Sequence, residues 1–259
     1  MLHLAKKFDR WLHSHLILLL ALVLLLALRI PNFFEPYWYG DEGIYLTIGN
    51  AIRNGEKLYT DIVDHKTPII YFLAAVPNQL SFRLLTLVWM MTSTIAFYGV
   101  ALKLLKKKLP TAISTFIFVF LTSVPWLEGN IPNGELFVMG FVLVGAWIML
   151  KTKVLEYFFN QKKEFSGVQN RFKLYIVGVL FGLAILTKIP GLFDVVAWLA
   201  AFWFMLTNQI DLLFNSKSRL QWFQLLKKTS YHLFWLVLGM VTPILGSIIY
   251  FTAVGSGQD

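Results

Sequence analysis

Leu16 to Leu28 is an unbroken apolar run, and with Trp11, Leu12 and Ile30 beside it the stretch reaches the roughly 20 residues that cross a bilayer. Inside lipid every backbone N–H and C=O needs a partner, so such a run must be a helix. The rest of the chain repeats the pattern. Of its 259 residues 57% are hydrophobic and 16% aromatic, which sets aside a soluble globular class. Spans are expected at 12–30, 82–102, 110–127, 135–151, 173–188, 190–208 and 230–252. A cleavable signal peptide is a poor reading of the first run, because no small-x-small site precedes Arg29 and further spans follow. With no cysteine, disulfides and thiolate metal sites are excluded. The expected fold is an all-α polytopic membrane protein.

A net charge of +9 invites a nucleic-acid partner until the charges are placed. With the N-terminus inside, seventeen of the 23 Lys and Arg fall on inner segments, among them Lys6, Lys7, Lys103, Lys106–Lys108, Lys151, Arg171, Lys173, Lys227 and Lys228. The outer side keeps Arg29, Arg53, Lys57, Lys66, Arg83 and Lys188. That asymmetry is the positive-inside rule, so the basic balance reads as topology and no nucleic-acid partner is expected. Nine of the 14 acids fall at the outer face: Glu35, Asp41, Glu42, Glu56, Asp61, Asp64, Glu128, Glu135 and Asp259. Reactive groups are therefore expected outside.

The longest polar outer stretch is Tyr39 to Pro68, after an aromatic segment (Phe33, Phe34, Tyr37, Trp38, Tyr39) suited to the headgroup belt. Ile44, Tyr45, Ile48, Ala51 and Ile52 fall on one face of a short helix that starts at Gly40-Asp41 and stops at Gly55. A second short helix is expected over Ile69 to Val76, with Thr67 as cap and Pro68 at its first position. Further on, Glu128 to Glu135 forms an outer hairpin, and Thr187-Lys188-Ile189-Pro190-Gly191 a tight outer turn. Asn208 to Lys228 reads as an inner interfacial helix, and Pro243 falls within the last span. No internal repeat or separate soluble domain is visible; residues 1–259 read as one transmembrane domain whose outer loop, about 31–81, carries the chemistry.

Each candidate has a plain structural reading beside the functional one. Asp41 and Glu42 can be a cap and a first-turn acid, or Asp41 can be a general base at the mouth of the bundle. Asp64-His65-Lys66 can be a solvated turn, or Lys66 can meet a phosphate. His65 with Asp41 or Asp64 could hold a divalent metal; without fixed ligand spacing, no metal is the preferred reading. Glu135 can be a helix-start acid, and Lys188 can snorkel to headgroups or reach a lipid phosphate. Asp194 falls inside a predicted span, where an acid costs ~2.5–3.5 kcal/mol; it either faces a bundle interior or lies near the outer interface, four residues past Pro190.

In order, these features resemble the membrane glycosyltransferases of the GT-C fold, the branch with the protein O-mannosyltransferases, the lipid A aminoarabinose transferases and the RgtA/B/C/D-like transferases. The matching motifs are Asp41-Glu42, the run Gly55, Glu56, Leu58, Tyr59 and Asp61, then His65-Lys66-Thr67-Pro68, Pro132 to Glu135 and Thr187 to Pro190. The resemblance implies two short interfacial helices in the first outer loop of a bundle of about seven spans. It implies transfer of a sugar from a polyprenyl-phosphate donor to a glycan, lipid or protein acceptor at the outer face of the cytoplasmic membrane. In that scheme Asp41, Glu42 and Glu135 are the catalytic acids, with Asp41 the base of an inverting reaction. Lys66 and Lys188 hold the lipid phosphate, with His65, Asp64 and Tyr45 around them. Two departures stand out: the further spans of the family's C-terminal half are missing, and His65 stands where some relatives have a metal-binding glutamate. A transporter or flippase of a lipid-linked or anionic substrate is the rival from another class, and a non-catalytic truncated remnant the third reading.

Overall fold

The computed structural model describes residues 2–36, 39–152, 171–207 and 219–256. Tyr37, Trp38, most of the expected inner loop 151–173, residues 208–218 and Asp259 lie outside the described residues. Helices occupy all seven predicted stretches: α1 (Leu2–Arg29), α4 (Gln79–Leu105), α5 (Lys108–Leu121), α6 (Gly134–Leu150), α7 (Arg171–Thr187), α8 (Gly191–Thr207) and α9 (Arg219–Val254). The outer loop supplies α2 (Gly40–Arg53) and α3 (Ile69–Leu73). No strand forms among the described residues, only an isolated bridge between Leu58 and Ile62.

By length and composition, His15–Phe34, Gln79–Leu105 and Ser230–Val254 can cross a membrane, while α5, α6 and Gly191–Met205 of α8 are shorter apolar helices. Exposed apolar side chains line these helices, such as Leu16, Leu20 and Val23 on α1 and Leu245, Ile248 and Ile249 on α9. Only 11% of the apolar window of α9 is buried by the protein. A surface this oily belongs in lipid. The protein is a polytopic membrane protein.

Three apolar clusters hold the helices together. The largest joins α6 (Phe141, Ala146, Met149) to Val177 and Phe181 of α7, Phe202 of α8 and Leu236 of α9. A second docks the loop, through Tyr45, Ile48, Leu58, Ile70 and Tyr71, on Phe82 of α4 and Phe137 of α6. The third sets Ala21 and Leu25 of α1 against Met90 and Val119.

The closest packing lies between α7 and α9, where side chains are absent. A Cβ on Gly178 would collide with the Leu236 carbonyl, one on Gly239 with that of Tyr175, and one on Gly182 would lie 2.6 Å from Pro243 Cγ. Gly178 and Gly182 have the small-xxx-small spacing by which membrane helices bring backbones into contact. The spacing is in the sequence, and its significance emerges only with the partner helix in place.

Four details depart from expectation. On α2 the buried face is Glu42, Tyr45, Leu46, Ile48, Gly49 and Ala51, and Ile44 is 44% exposed. The helix is turned so that Gly49 meets the backbone of Ala74, which a side chain there would prevent. The second loop helix ends at Leu73 instead of Val76, because Pro77 disfavours helical backbone at Val76. Pro68 occupies its N-cap position, and the Thr67 hydroxyl is buried without a protein partner instead of capping. Residues 219–228 continue into α9 as one helix of 36 residues, not a separate interfacial element.

Among the described residues, the outer loop, the α5–α6 hairpin and the α7–α8 turn lie at one end of the bundle and the α4–α5 connection at the other. At one end the outer loop meets the α5–α6 hairpin, where Asn130 Nδ2 donates to Glu35 Oε2 at 3.0 Å, and the end of α9, where Ser256 Oγ donates to the Leu58 carbonyl at 2.9 Å. At the other end Lys173 Nζ reaches the Lys151 carbonyl at 3.3 Å. The two glycine environments on α9 and α7 give a direct test. Gly178→Ala should destabilise the folded protein by ~1–3 kcal/mol through overpacking, seen as a lower melting temperature in detergent. Gly246→Ala, with open space around it, should leave the melting temperature unchanged or slightly raised.

Candidate functional site

The first turn of α2 projects two adjacent acids in different directions, since successive helix residues point about 100° apart. Glu42 turns inward and Asp41 turns to the mouth. Glu42 is 0% exposed and takes a bidentate pair from Arg83 of α4, Nε to Oε1 and Nη2 to Oε2, both at 2.7 Å. Arg83 Nη1 also donates to the carbonyls of Asn32 and of Glu35, and Gln79 Nε2 to Glu42 Oε2 at 3.3 Å. The clamp therefore ties the 3₁₀ turn Pro31–Phe34 that follows α1, the start of α2 and the start of α4 into one unit.

Asp41 meets Lys66, 2.7 Å from Oδ2 to Nζ. Tyr45, one turn further along α2, closes the triangle: its hydroxyl donates to Asp41 Oδ2 at 2.9 Å and accepts from Lys66 Nζ at 3.0 Å. The lysine nitrogen also lies over the Tyr45 ring, 4.6 Å from its centre. Partial burial pushes the Asp41 carboxyl up, but hydrogen bonds from Lys66 and Tyr45 and the charges of Lys66 and Lys188 outweigh it, leaving the group below its ordinary value. Burial, then the Asp41 charge and hydrogen bond, drive the Tyr45 hydroxyl far up, so it stays protonated as a fixed donor.

Lys66 is positioned by its own segment. The Tyr59 hydroxyl donates to the Lys66 carbonyl at 2.5 Å, and Tyr59 itself stands at positive φ, 68°, packed on Phe251 of α9. Asp64 accepts from the Tyr71 hydroxyl at 2.6 Å and from the His65 amide at 2.7 Å. Burial raises the Asp64 carboxyl and these hydrogen bonds more than offset it, holding it below the ordinary range. His65 is 84% exposed and turns its Nδ1 to Asp64, 2.7 Å away, while Asp41 turns to Lys66.

Glu135 opens α6, with its amide donating to Asn133 Oδ1 at 3.3 Å, and its carboxylate is paired with Lys188 from the α7–α8 turn. The two pairs adjoin. A Cβ on Gly134 would sit 3.4 Å from Lys188 Cδ and 3.6 Å from Tyr45 Oη, so this glycine leaves the gap through which the halves face each other. Tyr39 adds a hydroxyl among the acids: its hydrogen bond to Glu128, some burial, and the charges of Glu128, Asp41 and Glu135 push it up to about 12.

Asp41, Tyr45, Lys66, Glu135 and Lys188 thus converge from the loop, α6 and the α7–α8 turn. Asp64 and His65 stand behind Lys66, Glu42 is held in the clamp, and Asp194 is exposed in the first turn of α8 rather than facing a bundle interior. Among the described residues no group of three or more His, Asp and Glu side chains forms a metal-ligating cluster. Sequence reading passed over Arg83, Tyr39, Glu128 and Tyr71. Arg83 did carry a signal, since an arginine inside the first turn of a predicted span is expensive unless it has a partner.

A family profile described as dolichyl-phosphate-mannose-protein mannosyltransferase matches residues 68–246. The matched range takes in Glu135 and Lys188 and leaves Asp41 to Lys66 outside. No curated protein and no solved structure matches the chain. The clamp gives a stability test. Arg83→Ala or Glu42→Ala alone should cost ~3–5 kcal/mol by stranding a buried charge, and the double change to Met and Leu should recover much of it. Melting temperatures of the three variants and the parent in detergent read this out.

Proposed function

The chain belongs to the dolichyl-phosphate-mannose-protein mannosyltransferase family, and on that premise we propose that it transfers a sugar from a polyprenyl-phosphate donor to an acceptor hydroxyl at the end of the bundle that carries Asp41. The observation that supports this reading best is the carboxylate–ammonium contact of Asp41 and Lys66 beside the Glu135–Lys188 pair. Such a donor asks for little else. Polyprenyl phosphate leaves without strong acid catalysis, so the needs are a base for the acceptor and cations for the phosphate.

In this reading the donor phosphate takes Lys66 and Lys188 as its counter-ions. Asp41 gives up its cation as Lys66 turns to the phosphate, so its proton affinity rises only when the donor is bound. The acceptor oxygen attacks the anomeric carbon as the carbon–phosphate-oxygen bond breaks, with inversion. The acceptor proton passes to Asp41, and the extra negative charge on the departing phosphate falls to the two lysines. Glu135 orients the acceptor or sugar, Tyr45 keeps Asp41 and Lys66 in register, and Glu42 serves as the clamp that aims Asp41. His65 and Asp64 brace the segment that carries Lys66.

Membrane placement follows the same reading. Residues 1–259 form one transmembrane unit with seven crossings, the N-terminus inside and residues 31–81 as the catalytic loop outside. Supporting this, Lys103 and Lys106–Lys108 cap α4 and α5 at the end opposite the site.

Asp41→Asn should lower kcat by ~10²–10⁴-fold with little change in KM for the donor, measured by transfer of radiolabelled sugar from a polyprenyl-phosphate donor. Near parental transfer would remove Asp41 as the base. Activity that depends on ionised Asp41 is present above its lowered pKa and lost as pH falls through it. Lys66→Met removes the group that holds the carboxyl down, so the acid limb of kcat/KM against pH should move to higher pH and KM for the donor should rise.

A further inference from the structure

The hairpin between α5 and α6 holds an apolar tip that the chemistry above leaves unused. α5 has 14 residues, about 21 Å at 1.5 Å per residue, against a hydrocarbon thickness of about 30 Å. The helix begins at Lys108, directly after Lys106 and Lys107, which belong at headgroup level. Measured from there, α5 ends well short of the opposite headgroups, so the chain that follows it falls at membrane depth.

Non-helical backbone is tolerated at that depth only where protein satisfies its polar groups. Much of this turn meets that condition. The amides of Thr122, Ser123 and Val124 donate back into α5, and those of Leu127, Glu128 and Gly129 donate to Val124 and Pro125 carbonyls, at 2.9–3.3 Å. Two further carbonyls, those of Thr122 and Gly129, both accept from Nη2 of Arg29, at the end of α1. Arg29 is 1% exposed. A guanidinium is costly to bury, and here it serves two backbone oxygens of the turn.

The outward side of the turn is oil. Trp126 is 89% exposed and Leu127 59%, and they extend the exposed stripe of Ile113, Ile117, Phe120 and Leu121 along α5. The neighbouring α1 repeats the arrangement, with an exposed stripe that runs through Ile30 to Phe34, 84% exposed. The two tips are tied by the Asn130–Glu35 hydrogen bond. Continuity with two lipid-facing helices identifies the occupant as lipid acyl chain, not a protein partner.

We propose that the Thr122–Gly129 turn is sunk into the leaflet on the site side, with Trp126 and Leu127 among acyl chains and Arg29 satisfying the turn's backbone from within. The inference rests on the membrane placement given above and not on its chemistry. Its consequence for that chemistry is depth: Glu128, at the end of the turn, and Glu135, on the far arm of the same hairpin, are held near the plane where a lipid-borne phosphate lies.

The absence of cysteine allows a clean test on the full chain. Trp126→Cys, labelled with a nitroxide and reconstituted in phosphatidylcholine vesicles, reports its depth. Its relaxation by oxygen, which concentrates among acyl chains, is compared with that by a neutral nickel chelate, which stays in water. Oxygen should dominate several-fold at position 126 and at a second label from Leu127→Cys. The order should reverse at Glu56→Cys in the exposed loop. Labels at 126 and 127 as open to nickel as the one at 56 would overturn the insertion. The reading uses no transfer assay, so it stands or falls separately from the role of Asp41.

Discussion

Burying an arginine and a glutamate costs several kcal/mol per ion before any contact is made. The chain accepts that cost at Arg83 and Glu42, where each is 2% exposed or less and every strong donor of the arginine has a partner. The return is positional. Glu42 is covalently next to Asp41, so fixing its carboxylate on α4 fixes the rotation of α2 about its axis. Tyr45, on the same helix, is then held between Asp41 and Lys66, and the Asn32 and Glu35 carbonyls bring the end of α1 into the same unit. Without the clamp, α2 would rest on Phe82 and Phe137 through apolar contacts, and apolar contacts are non-directional. A carboxylate that must meet one lysine within hydrogen-bond distance needs a directional constraint.

The same logic explains what could be read from the sequence. Apolar spans were legible because lipid leaves the backbone no alternative to helix, and all seven stretches are helical. The start of α2 at Gly40 and its stop before Gly55, at φ 95°, were legible because they depend on local backbone chemistry. The rotation of α2 was not. Ile44 and Ile52 fit an apolar face as well as Leu46 does, and the Glu42–Arg83 clamp together with the close approach of Ala74 to Gly49 selects between them. Gly178, Gly182 and Gly239 were equally silent, since each matters through a partner remote in sequence. The convergence of Asp41, Lys66, Glu135 and Lys188 was suggested by resemblance, while Glu42 belongs to the frame of the site rather than its surface.

Electrostatically, the site is two acid–base pairs set side by side, with Tyr39 among the acids. A resting site of this kind stores no large unpaired charge, which suits a cluster only partly exposed to water. It is also easily converted. An arriving phosphate offers each lysine a better partner than a single carboxylate, because its oxygens present several acceptors and spread charge. Two carboxylates freed together in one site raise each other's proton affinity. On the proposed mechanism, the pairing that lowers Asp41 prepares the opposite shift once a donor phosphate has taken the lysines. The base would then strengthen as the donor binds, and the acceptor proton be drawn only at that point.

Depth completes this scheme. A lipid-borne phosphate is confined near the headgroup plane, and lifting it into water would expose its apolar chain at about 0.8 kcal/mol per CH₂. A site standing well above the membrane would have to bear that cost. α6, which carries Glu135, is a short helix of 17 residues, about 26 Å, and α5, joined to it by the hairpin, is shorter still at 14. On the proposed placement these short helices draw Glu135 and its partner Lys188 down towards the phosphate. The buried Arg29 and the internally bonded turn are what allow irregular backbone to follow them to that level.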